Sequence, residues 1–164
     1  MKVTDIQTFL DYYTKVRART MKLVAIIPPE RVEWKYMHKK FSIGDMVRHI
    51  AAIERYLYAE VVQGNKSLYT GCGRELAEGY TEVVNYITAL HEESMNIFKA
   101  IGDSALQHKC SMPGGHCISV ASALRAMTEH EIHHRGQLYM CLEMLGVRTP
   151  PIFGMTSEEV ISRA

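Results

Sequence analysis

Apolar residues recur every three or four positions in four stretches of the chain, the spacing that places them on one face of an α-helix. The four predicted helices run over 5–26, from an N-cap at Ser42 to Gly64, over 81–101, and from an N-cap at Ser119 to Gly146. No stretch alternates convincingly as a strand would. The pattern predicts an all-α fold, a four-helix bundle, and the length of 164 residues suits a single domain over 1–164 with one core.

The segments between the helices carry weaker signals. Thr4 is the expected N-cap of the first helix. Several aromatic residues in the connection 27–41 suggest that this loop packs against the bundle, namely Trp34, Tyr36 and Phe41. His91 falls among glutamates on the third helix and is expected to face water. The run 112–116 contains a proline and two glycines and predicts a turn within a small hairpin.

Polar residues interrupt the apolar stripes midway along two of the helices. On the fourth helix, Glu131 and His134 occupy core positions, and His130 lies one turn before His134 on the same face. On the second helix, His49 lies at the edge of the apolar stripe. If these helices are neighbours, three imidazoles can converge on one metal ion and leave a fourth position open, the arrangement of a catalytic site. The ordinary alternative is a set of hydrogen-bonded core histidines.

Three further residues are candidates for catalysis near such a site. Glu131 would serve as a proton acceptor or a partner of a ligand, unless it pairs with Arg135 or with another helix. Gln137 follows His134 by one turn and would hold a metal-bound water or orient a ligand, although packing against the first helix is equally consistent. Tyr56 lies on the side of the second helix that carries His49 and would reach the pocket.

The run His130-Glu131-Ile132-His133-His134 also satisfies the H-E-x-x-H signature of zinc proteases. The extended form of that signature requires a further histidine downstream, and no histidine follows His134. A strand that would hold an extended peptide is not predicted either. We therefore reject the protease interpretation.

A second zinc site across the predicted turn is a minor alternative. Its donors would be two cysteines and two histidines, namely Cys110, Cys117, His108 and His116. The spacing lacks the close Cys pair that is usual in zinc sites. The simpler interpretation is a pair of small side chains that flank a turn.

Charge and composition exclude several classes of partner. The net charge is +1 without a basic run, so nucleic acid is not an expected partner. No apolar run approaches the roughly 20 residues of a membrane span, and the N-terminus lacks the apolar core of a signal peptide. Four unpaired cysteines suit a reducing compartment. A cytoplasmic protein that acts on a small molecule is the expectation.

The run Phe41-Ser42-Ile43-Gly44-Asp45-Met46-Val47-Arg48-His49-Ile50, followed far downstream by His130-x-x-x-His134-Arg135-Gly136-Gln137, resembles the DinB/YfiT-like family of bacterial metalloenzymes. The resemblance covers nearly the whole chain. It implies an up-down-down-up four-helix bundle, usually a homodimer. It also implies a divalent metal ion, zinc or nickel, held by His49, His130 and His134.

The activity implied by the resemblance is thiol-dependent transfer or isomerisation with a low-molecular-weight thiol such as bacillithiol. A metal ion in an open three-histidine site lowers the pKa of a bound thiol or water, which gives a nucleophile at neutral pH. The sequence leaves two alternatives open. One is a metal-dependent hydrolase, and the other is a non-catalytic metal-binding protein of the stress response.

Overall fold

The computed structural model describes residues 2–164, so the predicted domain over 1–164 extends beyond it only at Met1, which lies outside the described residues. Within this range the chain forms four long helices and one short one. They are α1 (Ile6–Val24), α2 (Ile43–Ile53), α3 (Gly79–Ile101), α4 (Val120–Met144) and α5 (Ser157–Ser162). The predicted all-α architecture is confirmed.

Shorter elements join these helices. A π-helical turn, Glu54–Tyr58, and an α-helical turn, Ala59–Val61, continue α2 without a break. Tight helical turns occur at Pro29–Arg31, Arg74–Leu76 and Asp103–Gln107. The predicted hairpin is present as the antiparallel strands β1 (Lys109–Ser111) and β2 (Cys117–Ser119).

Two of the three predicted N-caps are confirmed, and the prediction for α1 was wrong by one residue. Ser119 caps α4, and its Oγ accepts a hydrogen bond from the Ser122 amide at 3.2 Å. In α1 the cap is Asp5, whose carboxylate accepts from the Thr8 amide at 2.7 Å. Thr4 instead donates its hydroxyl to Asp5. A carboxylate is the stronger acceptor and is favoured by the positive end of the helix dipole.

Ser42 begins α2 with a reciprocal capping box. Its Oγ accepts from the Asp45 amide and the Asp45 carboxylate accepts from the Ser42 amide, both at 2.9 Å. The Ser42 hydroxyl also donates to Glu33 at 2.8 Å. Because Ser42 is fully buried, water cannot replace these bonds.

We expect Ser42→Ala to lower the free energy of unfolding by about 1–2 kcal/mol, the upper range for loss of a cap. Thr156→Ala is the matched control, because Thr156 forms the same type of capping box on α5, a helix without buried residues. Urea denaturation would measure both variants. Equal effects would contradict the importance given to the buried cap.

The two core clusters reveal the direction of each helix. One cluster joins the first halves of α1 and α4 to the ends of α2 and α3, with Phe9, Leu124 and Phe98 as members. The other joins the ends of α1 and α4 to the starts of α2 and α3, with Leu23 and Val83 as members. Hence α1 and α4 run in one direction and α2 and α3 in the other. The implied up-down-down-up order is confirmed.

Because α2 and α3 are parallel, the connection 62–78 must return along the length of the bundle. Arg48, which is fully buried, holds it there by donating to the carbonyls of Cys72 at 3.0 Å and Ala77 at 2.8 Å. Burial opposes the charge of Arg48, but bonds to Glu33 and Asp45 outweigh it and raise its pKa. The connection therefore lies against α2, beside His49.

The loop before α2 only partly follows the prediction. Trp34 packs against the second cluster, but Tyr36 and Phe41 are 47% and 41% exposed. The physical reason is that these two rings line one wall of an open pocket, described below, rather than the bundle surface.

Across residues 2–164, none of the helices combines the length with the apolar character that a membrane crossing requires.

Candidate metal centre

Three histidines from two helices converge at mid-bundle. His49 comes from α2, and His130 and His134 come from consecutive turns of α4. One ring nitrogen of each can be chosen so that all three lie within 4.8 Å of one another. The Nε2 atoms of His49 and His130 are 3.1 Å apart. The structure thus brings together the three residues that the sequence suggested as ligands.

Outer hydrogen bonds orient two of these rings. His134 Nδ1 lies 2.7 Å from Gln137 Oε1, and because that oxygen only accepts, Nδ1 carries the proton and Nε2 keeps a free lone pair. His49 Nδ1 lies 2.8 Å from the Tyr69 hydroxyl. Partners of this kind fix the tautomer and orientation of metal-ligating histidines. Of the roles suggested for Gln137, this contact is the one that orienting a ligand would require.

The electrostatic setting keeps the three imidazoles neutral at neutral pH. Burial, followed by the neighbouring histidines, lowers the pKa of His130 to about 3 and that of His49 to about 4. Burial also lowers the pKa of His134. Ligating histidines must be neutral. Three neutral nitrogens without a bridging carboxylate form a donor set that suits zinc or nickel.

A pocket of about 620 Å³ opens beside His134. One wall comes from the loop before α2 and the other from the exposed side of α4. The lining residues are Tyr36, Lys39, Lys40, Phe41, Met46, His133, His134, Gly136, Gln137, Met140, Cys141 and Met144. A small molecule in this pocket would approach the histidine cluster from the side of His134.

Glu131 lies in the interior between α4 and α1. Its Oε1 accepts a hydrogen bond from Thr20 at 2.6 Å, and its Oε2 accepts one from Tyr13 at 2.7 Å and lies 3.0 Å from Arg17 Nη2. These partners all belong to α1. Of the roles considered for Glu131 from the sequence, the structure therefore shows pairing with another helix. We therefore assign Glu131 to a buried polar network rather than to catalysis. This also removes the glutamate that a zinc protease would use as its base.

The π-helical turn after α2 adds Glu54 to this network. Glu54 contacts Arg17 and lies 2.8 Å from His91 Nδ1. The expectation that His91 faces water was wrong, because its side chain is 18% exposed and its ring meets Tyr13 edge-on. A π-turn adds a residue to the helix and shifts the phase of everything after it. Glu54 is the first residue of this turn and follows the buried Ile50 by four residues, so its own position still agrees with regular helical spacing.

The same phase shift explains the position of Tyr56. In a regular α-helix Tyr56 would lie nearly in line with His49, but here its ring packs in the second core cluster with the Arg55 guanidinium over it. Within residues 2–164, its hydroxyl makes no hydrogen bond to the three histidines. Tyr69, from the connection 62–78, has the place beside His49. Sequence reasoning missed Tyr69 because a residue in an irregular loop has no periodic signal.

The hairpin does not assemble a second zinc site. Cys110 pairs with Ile118 and Cys117 with Ser111, so the two thiols point to opposite faces of the ribbon. Cys110 is buried and Cys117 is exposed. In the part of the chain that the structure describes, the His49, His130 and His134 cluster is the only group of donors close enough to hold a metal ion.

We expect Tyr69→Phe to weaken zinc binding about 10–100-fold, the usual effect of removing such a partner. Burial raises the pKa of Tyr69, so its hydroxyl stays protonated and can accept from His49. Tyr86→Phe is the control, since the buried Tyr86 hydroxyl makes no hydrogen bond within residues 2–164. Competition with a chelator would give both dissociation constants. An unchanged constant in Tyr69→Phe would contradict this role.

Residues 12–138 match the model of the DinB superfamily. No curated protein matches the chain. Among solved structures, a DinB-like protein from Bacillus cereus ATCC 10987 is 16% identical with a TM-score of 0.73, covering 90% of this chain and 97% of its own. YfiT from Bacillus subtilis, described as a probable metal-dependent hydrolase with an unusual four-helix bundle topology, is 13% identical with a TM-score of 0.70, covering 87% and 89%.

A more distant similarity is to a mycothiol-dependent maleylpyruvate isomerase. It is 14% identical with a TM-score of 0.51, and the match covers 81% of this chain and 60% of the isomerase. At these identities the similar structures establish the fold, whereas activity has to be inferred from the residues of the site.

Proposed function

Because the chain belongs to the DinB superfamily and carries three converging neutral imidazoles, we propose that it is a metal-dependent enzyme that transfers a low-molecular-weight thiol to electrophilic small molecules. The observation that carries the proposal is the cluster of His49, His130 and His134 at the edge of an open pocket. A histidine cluster that served only the core would not need a cavity of about 620 Å³ beside it.

The residues of the site have separate tasks in this proposal. The Nε2 atoms of His49, His130 and His134 would hold a divalent metal ion, zinc or nickel. When bound, the metal lowers the pKa of a coordinated thiol or water and so supplies a nucleophile at neutral pH. Gln137 fixes the tautomer of His134, and the pocket would hold the electrophile beside that histidine.

The reaction proposed is a substitution at an electrophilic carbon. The thiol gives up its proton to solvent, its sulfur forms a bond to carbon, and the leaving group departs with the electron pair of the broken bond. The pocket contributes by holding the electrophile beside His134, which makes the encounter effectively intramolecular. The carboxylate of Glu131 takes no part, since α1 occupies both of its oxygens.

Thiol transfer is preferred because a structure of similar fold belongs to a mycothiol-dependent enzyme. Hydrolysis is the second candidate, supported by the similarity to YfiT. In that case the nucleophile would be water, and the same three histidines would hold the metal. A non-catalytic metal-binding protein fits less well, because nothing in the described residues fills the pocket beside His134.

A conjugation assay separates these possibilities. Protein loaded with zinc or nickel would be mixed with monobromobimane and bacillithiol, cysteine or no thiol, and p-nitrophenyl acetate would report hydrolysis. We expect thiol-dependent conjugation that His130→Ala abolishes and His116→Ala, an exposed residue of the hairpin turn, retains. Metal-dependent ester cleavage without conjugation would favour the hydrolase. No metal-dependent rate in either assay would contradict the proposal.

A cytoplasmic location and a homodimer remain part of the proposal as predictions. Size-exclusion chromatography with light scattering would test the second, with a mass near twice the 18.7 kDa of the chain expected. A monomer at micromolar concentration would contradict it.

A further inference from the structure

The pocket beside His134 has apolar walls and a basic rim. Its walls include the side chains of Phe41, Met140 and Met144, which are 41%, 57% and 62% exposed. Lys39 and Lys40 also line the pocket, and both are solvent-exposed. The lining contains no aspartate or glutamate, so the only formal charges at the pocket are positive.

The two lysines are available to a ligand. Lys35, on the same loop, lies 3.5 Å from Asp45, whereas Lys39 and Lys40 form no ion pair within residues 2–164. An unpaired cation at the edge of an apolar cavity attracts an anion more strongly than one in open solvent, since low-dielectric walls reduce screening.

The backbone of Lys39 is unusual. Its φ is +62°, and among the described residues it is the sole non-glycine with positive φ. This left-handed conformation is unfavourable for a residue with a side chain. Strained backbone of this kind clusters at ligand sites, where it aims a side chain. Here it occurs at one of the two lysines of the rim.

The methionines favour an apolar partner of variable shape. Met140 and Met144 are one helical turn apart on α4 and face the same pocket. Exposed methionines are flexible and polarisable and adapt to ligands of different outline. Their exposure also means that apolar surface remains to be covered when a ligand binds.

We propose that the pocket binds organic acids with an apolar body and one carboxylate or sulfonate group, and that such acids are the electrophilic substrates of this site. The acid group pairs with Lys39 and Lys40, and the body lies against Met140 and Met144. The role of these acids as substrates rests on the proposed function. Their binding to the pocket does not depend on it.

A matched pair of probes tests the binding. 4-Methylbenzoate and its neutral methyl ester share one apolar body, and neither reacts. Titration into wild type and into His130→Ala, followed by protein NMR, separates this binding from metal chemistry. We expect the acid to bind about tenfold more tightly than the ester in both proteins, an effect of roughly 1.4 kcal/mol.

Charge-matched variants identify the binding residues. The double variant Lys39→Gln/Lys40→Gln should lose the preference for the acid and keep its affinity for the ester. Lys66→Gln/Lys99→Gln makes the same charge change at exposed positions outside the pocket and should keep the preference. Equal binding of acid and ester by wild type, no binding of either, or equal effects of the two double variants would each overturn the inference.

A pair of reactive electrophiles tests whether the acid group that the lysines bind belongs to the electrophile or to the thiol. Conjugation rates would be compared for 4-(bromomethyl)benzoate and its methyl ester, each with mercaptoethanol and with 3-mercaptopropionate. A preference for the acidic electrophile supports the inference, whereas a preference for the acidic thiol alone would overturn it. If the unreactive acid binds through the lysines but no conjugation occurs with any pair, the proposed function fails while the binding site stands.

Discussion

Arg17→Met is expected to lower the free energy of unfolding by about 3–5 kcal/mol, the effect typical of removing one partner from a buried ion pair. The Arg17 side chain is 5% exposed and contacts both Glu54 and Glu131, which are 1% and 0% exposed. Methionine has a similar length, so the variant removes the charge while leaving most of the packing.

The physical reason is the charge balance of the interior. Burial opposes the charge of Arg17, but the carboxylates of Glu131 and Glu54 outweigh it and raise its pKa. Without the guanidinium, both carboxylates would remain buried with mainly neutral donors, and their charge would no longer be compensated in the interior. The network holds α1, α4 and the π-helical turn after α2 together at mid-bundle.

Urea denaturation of metal-free protein in the presence of EDTA would measure this effect without a contribution from metal binding. Arg125→Met is the matched control, since Arg125 on α4 forms an exposed pair with Glu129 and such pairs contribute little. A loss below about 1 kcal/mol in Arg17→Met would contradict the role assigned to the network.

The second large effect concerns the metal. Zinc at a thousand times its dissociation constant is expected to stabilise wild type by about 4 kcal/mol, because it binds the folded state and adds to its free energy of unfolding. His130→Ala should lose this increment. The metal-free variant should have a free energy of unfolding close to that of metal-free wild type. The substitution removes only a half-buried neutral ring from a cluster without a salt bridge.

Thermal unfolding with and without zinc, at several zinc concentrations, would measure the increment. His116→Ala is the control for a change of histidine content, and it should respond to zinc as wild type does. If His130→Ala gains as much stability from zinc as wild type, the ion binds elsewhere.

The parts of the fold that follow from periodicity could be predicted from the sequence. The four helices, the Ser42 cap and the Ser119 cap all depend on local spacing, and local spacing is visible in a sequence. His130 and His134 share a face for the same reason. To include His49 in the cluster, one had to assume in addition that α2 and α4 are neighbours. In the bundle these two helices do pack together.

The parts that were missed depend on contacts between distant segments. Tyr69 reaches His49 only because Arg48 holds the connection 62–78 against α2. His91 follows the buried Ile87 by four residues and so shares its face, but the adjacent Glu92 and Glu93 suggested exposure. A loop contact has no periodic signature, so the partner of His49 could not be read from the pattern.

Metal analysis of untagged protein, wild type beside His134→Ala, tests the central claim most directly. Both would be purified without chelator, dialysed against equal zinc and nickel, and analysed by mass spectrometry for metal per chain. The three-histidine site predicts about one ion per wild-type chain and a loss of most of it in the variant, because two ligands bind far more weakly than three. Equal metal content in the two proteins would contradict the site.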